Sequence, residues 1–519
     1  MEPIDGRNGC ARLNDKFSMK SIAADFILQR FEPDQQGERG AQGPLNRQLY
    51  ECLRAAILAN VLAPGAPLPA SRDLAREIGV SRNTVLHAYA QLQAEGYVHA
   101  RVGSGTFVSP TTPDSQLNAG QAASTAPTEK ISARLSRRGE KLLSHAFAAP
   151  RQWGAFMPGV PDVTQFPARR WSRIQSQLWR NPPPEWLSYT HGGGMPALRQ
   201  AIADHLRMAR SVQCTPDQIL ITEGVHQAMD LSLRMLADPG DTVWVEEPGY
   251  WGFHALLRVD QLRVRPLRIE PEDDALRAGW PSGGKAPRLI FVTPSHQYPL
   301  GSVMSLARRR EMLDFARQTG GWIFEDDYDS EFRFAGRPIP SMQGLEPDSP
   351  VIYVGTFSKT LFPGLRVAYM VLPRSLAPAF RTAHADLYRQ GHGMTHAALA
   401  MLIESGQYAA HIRRMRVLYA RRRALLAQLL QQHLGPDCLH AQSSNAGLHL
   451  TVSLAAGTDD RAIAEAAAAR GVLSRPLSMY YQDARVARPG LLLGYACVAD
   501  EHIAPAFRVL RDVLPGVLS

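Results

Sequence analysis

The segment VIYVGTFSKTLFPGLRVAY, residues 351–369, gathers Thr356, Ser358, Lys359 and Arg366 into one short stretch. A primary amine can condense with a carbonyl compound to form an imine, and a guanidinium cannot. Lysine is scarce here: the only ones are Lys16, Lys20, Lys130, Lys141, Lys285 and Lys359. Past residue 150 only two remain. Lys285 sits in the loop WPSGGKAPR and reads as a solvated charge. Lys359 follows the apolar run VIYVG, so it stands at the C-terminal end of an expected strand. That is the side on which α/β sheets take their ligands. Arg366 offers a planar fork suited to a phosphate, and Thr356 and Ser358 add hydroxyls beside it.

Three other segments supply matching chemistry. LITEGVHQAMDL reads as a strand, a turn at Gly224 and a helix. The amides of Val225 and His226 then open that helix and form an anion site. GWIFEDDYDSEF places Asp326, Asp327 and Tyr328 at a strand end, and EEPGYWGF places Tyr250 after a strand and a Pro-Gly turn. An acidic run at a strand end is ordinarily just solvated. Here it accompanies an imine-forming amine, a phosphate cradle, a phenol for a ring hydroxyl and an aromatic ring for stacking. A carboxylate that keeps a pyridine nitrogen protonated is the main electronic lever a protein has on pyridoxal 5'-phosphate. The set describes a site for that cofactor.

The elements that must position these residues follow from composition and pattern. The chain has 519 residues, 45% hydrophobic and 20% charged, which excludes a fibrous or wholly disordered protein. At this length more than one domain is expected. Cys10, Cys52, Cys214, Cys438 and Cys497 are far apart and the histidines scattered, so neither a disulfide framework nor a metal site is expected. No apolar run is long enough to span a membrane, and the polar N-terminus does not read as a signal peptide. A cytoplasmic protein is expected. The net charge of +9 permits an anionic partner.

Residues 1–43 read as a flexible extension and 44–110 as a compact helical module. Residues 111–150, rich in Ser, Thr, Pro and Ala, read as a linker spanning roughly 35 Å if flexible. From 151 to 519, strands such as QILIT, DTVWVEE and RLIFVTP alternate with helices. That pattern predicts an α/β domain with a mainly parallel sheet and a smaller C-terminal subdomain.

Within 44–110, LNRQLYECLRAAILANVLAPG predicts a helix stopped by Pro64-Gly65. Ser71 is expected to cap a short helix ending at Gly79, and Ser81 to open a third. Two helices joined at Gly79-Val80 match a helix-turn-helix. The third would present Arg82, Asn83, Thr84 and His87 to a major groove. YVHARVGSGTFV reads as a hairpin wing, with Arg101 and Gly105 able to approach the DNA backbone. The module is only slightly positive, so two copies on a two-fold operator are expected.

The pattern of this module, from LAPGAPLPASRDLAREIGVSRNTV through AYAQLQAEGY to RVGSGTFV, resembles the winged-helix domain of the GntR family. The resemblance places Arg72, Arg82, Thr84 and Gly105 at the DNA. Residues 153–519 resemble fold-type I aminotransferases. By that resemblance Lys359 carries the internal aldimine, Asp326 rather than Asp327 faces the pyridine nitrogen and Tyr328 faces the ring oxygen. Arg366, Thr356, Ser358, Gly224, Val225 and His226 hold the phosphate, and Tyr250 stacks on the ring. Two departures stand out. Tyr298-Pro299-Leu300-Gly301 replaces an Asn-Pro-x-Gly turn, leaving His296 to compensate for the asparagine. Leu492 occupies the place of an arginine that grips substrate carboxylates, with Arg485 and Arg488 nearby in sequence.

Both halves together, with TPSHQYPLG and EDDYDSEF, resemble the MocR subfamily of bacterial transcription regulators. That resemblance implies a head-to-tail homodimer on double-stranded promoter DNA. An amine, an amino acid or pyridoxal phosphate itself would act as effector through Lys359. The competing expectation is a working aminotransferase with a tethered DNA-binding domain. A vestigial scaffold is disfavoured by the intact lysine, aspartate and arginine.

Overall fold

The computed structural model describes residues 44–101, 105–110, 135–143, 153–189, 192–259, 261–269, 280–281, 283–334, 340–389, 391–439 and 446–514. The chain divides into two compact units, 1–133 and 134–519. The expected extension 1–43 and most of the expected linker lie outside the described residues.

In the first unit α1 is Leu45–Leu58, α2 Ser71–Glu77 and α3 Arg82–Ala94, followed by β1 Val98–Arg101 and β2 Gly105–Val108. α1 buries Leu49, Leu53, Ala56 and Ile57, the stripe of an amphipathic helix. They share one core with Val85, Ala88 and Leu92 of α3. α1 stops at Leu58, earlier than the expected Pro64. Asn60 turns the chain with φ 58° and drops Leu62 into the core. Ser71 is the first residue of α2 and not its cap, which falls on Ala70 without a side-chain bond. Ser81 does cap α3, accepting from the Thr84 amide at 3.1 Å. Gly79, at φ 70°, makes the turn between α2 and α3, and β1 and β2 pair antiparallel as the wing.

The second unit begins with α4 Arg137–Leu143, a helix inside the stretch read as linker. Next come α5 Ala168–Leu178, α6 Pro196–Arg210, β3 Ile219–Thr222, α7 Val225–Leu236, β4 Thr242–Glu247 and α8 Trp251–Val259. The sheet grows through β5 Arg263–Arg268, β6 Leu289–Val292, then α9 Leu306–Thr319, β7 Trp322–Asp327, β8 Val351–Thr356 and β9 Ala368–Val371. Its order is β3-β9-β8-β7-β6-β4-β5, parallel throughout except for β9.

The central strands are near-continuous apolar runs because both faces are covered. Phe324, Ile352 and Val354 meet residues of α7 and α8 on one face. Ile290 and Ile323 meet Met312 and Leu313 of α9. Alternation along each strand thus commits neighbouring residues to different layers.

α10 Ala377–Tyr388, α11 Gly393–Glu404 and the long α12 Gln407–Leu434 lead to the smaller subdomain. There β10 His449–Ser453, α13 Asp460–Ala469, β11 Arg475–Pro476, β12 Gly490–Gly494 and α14 Asp500–Arg511 form an antiparallel sheet, order β10-β12-β11, with its helices. Arg422 of α12 ties this region together. It donates to Asp162 and to Asp500, each at 2.8 Å.

Candidate functional site

The C-terminal ends of the parallel strands converge on a cavity of ≈ 430 Å³. Of the residues singled out from sequence, Val225, His226, Tyr250, Asp326, Tyr328, Thr356, Ser358, Lys359 and Arg366 line it. Gly224 and His296 stand just behind the wall.

Lys359 lies three residues past the end of β8, and its Nζ donates to the Gly159 carbonyl at 2.7 Å. Burial pushes its ammonium below the usual range, opposed by the negative charges of Asp329 and Asp326. That favours the neutral, nucleophilic amine. Asp326 is the penultimate residue of β7 and is 5% exposed. Its Oδ1 is buried and makes no hydrogen bond among the described residues. Burial, then the neighbouring Asp327, pushes this carboxyl up to about 8, against the pull of Lys359. A buried acceptor is ordinarily satisfied. An orphaned one across a cavity from a lysine fits the protonated ring nitrogen of pyridoxal phosphate.

The phosphate end is equally well furnished. Gly224 caps α7 at φ 95°, and a Cβ there would lie 2.6 Å from Nη2 of Arg366. Only glycine lets the guanidinium approach the start of α7 so closely. Arg366 itself donates to the Glu223 carbonyl at 2.7 Å. Thr356 Oγ1 accepts from the Ser358 amide at 3.1 Å, which fixes the turn after β8. The His226 ring bonds the Tyr250 hydroxyl at 2.8 Å, so the two side chains orient one another.

His296 is not among the residues that line the cavity. Its Nδ1 lies 2.9 Å from the Tyr328 hydroxyl and 3.0 Å from Asp329 Oδ1. Tyr328, its hydrogen-bond partner, does line the cavity. His449 completes this buried group, its Nε2 lying 3.1 Å from the Pro299 carbonyl.

The structure also places the arginines around Leu492. Leu492 is fully buried, packed with Leu300, Leu477 and Tyr480. Arg485 is spent on Asp483 at 2.8 Å with its side chain 89% exposed, and Arg488 does not line the cavity. Arg475 does, and it is the cross-strand partner of Leu492. Sequence reading missed it, together with Tyr480 and the wall residues Met157 to Val160.

On the first unit, Arg72, Ser81, Arg82, Asn83, His87, Arg101 and Gly105 are exposed and Thr84 is half-buried. Ser81, Arg82, Asn83, Thr84 and His87 form one polar start to α3. Arg82 Nε reaches Ser71 Oγ at 3.4 Å. On the wing, Arg101 lies over the Phe107 ring, 5.1 Å from its centre, and Gly105 adopts φ 108°.

Comparison with known proteins matches both halves. Residues 45–108 match the model of bacterial regulatory proteins of the gntR family, and 164–490 that of class I and II aminotransferases. A probable rhizopine catabolism regulatory protein, MocR, of Rhizobium meliloti is 39% identical over 92% of this chain and 94% of its own length. This chain is a MocR-type transcriptional regulator. A pyridoxine biosynthesis regulator, PdxR, of Corynebacterium glutamicum is 31% identical over 90% of this chain and 95% of its own.

The regulator's aminotransferase-like half has the fold of an archaeal alanine:glyoxylate aminotransferase. The two share a TM-score of 0.64 and 23% identity over 72% of this chain and 93% of that one. Its fold-type I architecture and GntR-type winged helix therefore stand as expected, and the aminotransferase-like half belongs to a pyridoxal phosphate-dependent family. No helix among the described residues is long and apolar enough to cross a membrane. Cys214, Cys438 and Cys497 form no disulfide among the described residues.

Proposed function

We propose that this regulator binds pyridoxal 5'-phosphate in the cavity and senses an amino compound there, altering promoter binding by the winged helix. The reading rests above all on Asp326, which lines the cavity together with Lys359 and whose buried Oδ1 makes no hydrogen bond among the described residues. Arg366, Thr356, Ser358 and the amides of Val225 and His226 would hold the phosphate, with Gly224 admitting Arg366. Tyr328, backed by His296, would bond the ring oxygen, and Tyr250 would pack on the ring. The bound cofactor supplies an aldehyde that exchanges reversibly between amines.

The chain's own residues then set selectivity. Lys359, held below its usual range by burial, would present a neutral amine to that aldehyde. Arg475 has no carboxylate partner among the described residues and lines the cavity beside Tyr480. It suits an effector carrying an acidic group as well as an amine. Such a ligand shifts promoter binding only as far as it binds two arrangements of the protein unequally. Two winged helices on a two-fold operator call for a homodimer.

The test is the visible spectrum of purified protein during titration with amines and amino acids, with assay for oxo-acid product. A stable spectral change without product supports the sensor. Steady product makes the protein a working aminotransferase. A cofactor band that no amine perturbs makes the cofactor itself the signal. Protein that takes up no cofactor overturns the reading.

A further inference from the structure

A second cavity of ≈ 460 Å³ opens elsewhere on the second unit, between the C-terminal end of α6, the turn at residues 330–333 and the first half of α12. Its charge is one-sided. Arg333, Arg413 and Arg416 line it, and none has a carboxylate partner among the described residues. Arg416 donates twice to the Glu331 carbonyl, at 3.0 and 2.8 Å, which holds its head in place and leaves its charge unmatched. The Glu331 carboxylate is the one acidic group on the described wall, and it lies 3.8 Å from His205 Nε2.

Two further observations point to a ligand. Ser330 Oγ and His205 Nε2, both on this wall, are buried and make no hydrogen bond among the described residues. Buried polar atoms in native proteins are normally satisfied, by protein, water or ligand. Arg333 is partly buried, and that burial and the charge of Arg210 make its own charge costly, with Asp327 offsetting part of it. A bound anion would relieve that cost. Guanidinium groups, a hydroxyl and an imidazole around one space form a receptor for a multivalent oxyanion.

We propose that this cavity is a second ligand site, for a small polyvalent oxyanion such as a phosphate monoester or a dicarboxylate. The site also touches the machinery of the first. Arg210 lines the second cavity, donates to Asp327 Oδ2 at 2.8 Å and to Ser295 Oγ at 2.9 Å. Asp327 adjoins Asp326 on β7. An anion that draws on Arg210 weakens its hold on Asp327 and alters the field at Asp326. The binding stands on this cavity alone; the coupling rests on the cofactor reading above.

The experiment is calorimetric titration of the full-length, cofactor-loaded protein with inorganic phosphate and, separately, with succinate. Saturable binding is expected, weakened about tenfold to a hundredfold in Arg333→Gln and in Arg413→Gln, the loss of one charged hydrogen-bonding partner. The arm that binds distinguishes a phosphate from a dicarboxylate ligand. Affinity unchanged in both variants, or no saturable binding of either probe, overturns the site. The cofactor's visible band, followed in the same cell, should shift its pH midpoint when the anion binds. If the protein takes up no cofactor, the titration is repeated in Arg366→Ala, which disables the first phosphate cradle. The second site then stands or falls independently of the first.

Discussion

Asp326 and Asp327 are consecutive on β7, yet they serve opposite sides of the sheet. Asp327 accepts from Arg210 at 2.8 Å and from the Tyr353 hydroxyl at 2.7 Å, inside the protein. Asp326 lines the cavity and Asp327 does not, although each keeps a buried Oδ1 without a hydrogen bond among the described residues. Strand alternation allows only one of two neighbours to face a given side. The buried ion pair with Arg210 decides which, because burying Asp327 without it would leave an uncompensated charge.

The Asp326 carboxyl should therefore make the cofactor-free protein less stable as pH rises. Its folded-state pKa of about 8 lies above its unfolded value of roughly 4. Between those values the folded chain holds a proton that the unfolded chain has released, so stability falls across that window. Urea unfolding at pH 5 and pH 8.5 should show a smaller difference for Asp326→Asn than for the wild type. Glu246 and Glu325, both pushed up to about 7 by burial, keep a pH-dependent difference in the variant, so the readout is the reduction of the difference and not its disappearance. An identical difference in the two proteins would show that Asp326 is not a buried neutral acid.

Lys359→Ala should remove the visible band of the bound cofactor while leaving the far-ultraviolet circular dichroism unchanged. The lysine contributes one hydrogen bond, to Gly159, and no ion pair within 4 Å among the described residues. A band that survives the substitution would transfer the imine to Lys285.

Arg475→Ala should separate effectors by charge. Amines with an acidic group should lose about tenfold to a hundredfold in affinity, the worth of a charge-assisted hydrogen bond. Amines without one should bind as before. Equal loss for both classes would mean that Arg475 shapes the cavity without reading an acid.

Arg82→Ala should weaken operator binding and lower the slope of log affinity against log salt by about one, as expected for one lost phosphate contact. The cofactor spectrum should stay unchanged. Retained affinity and slope would remove the start of α3 from the DNA interface.

Much of this molecule was legible in the chain because its signals are local. Buried strands read as apolar runs, and a ligand residue just past such a strand lands at the sheet's C-terminal edge, as Tyr328 does one residue beyond β7 and Lys359 three residues beyond β8. The winged helix occupies one continuous stretch, so its capping serine and turn glycine report directly on geometry. Even locally, competition intervened: α1 ended at Leu58 because the core needed Leu62 more than the helix needed another turn.

What the sequence by itself determined was which residues stand at strand ends, and hence the chemistry on offer. Which arginine serves that cavity was decided only by tertiary structure. Arg485 and Arg488 are closer in sequence to Leu492, but Arg475 lies opposite Leu492 across the pairing of β11 with β12. The same holds for His296, set behind Tyr328, and for the arginines that three separate segments bring to the second cavity. Such neighbours are fixed by strand register and helix packing between segments distant in the chain, and local residue patterns carry no record of that pairing.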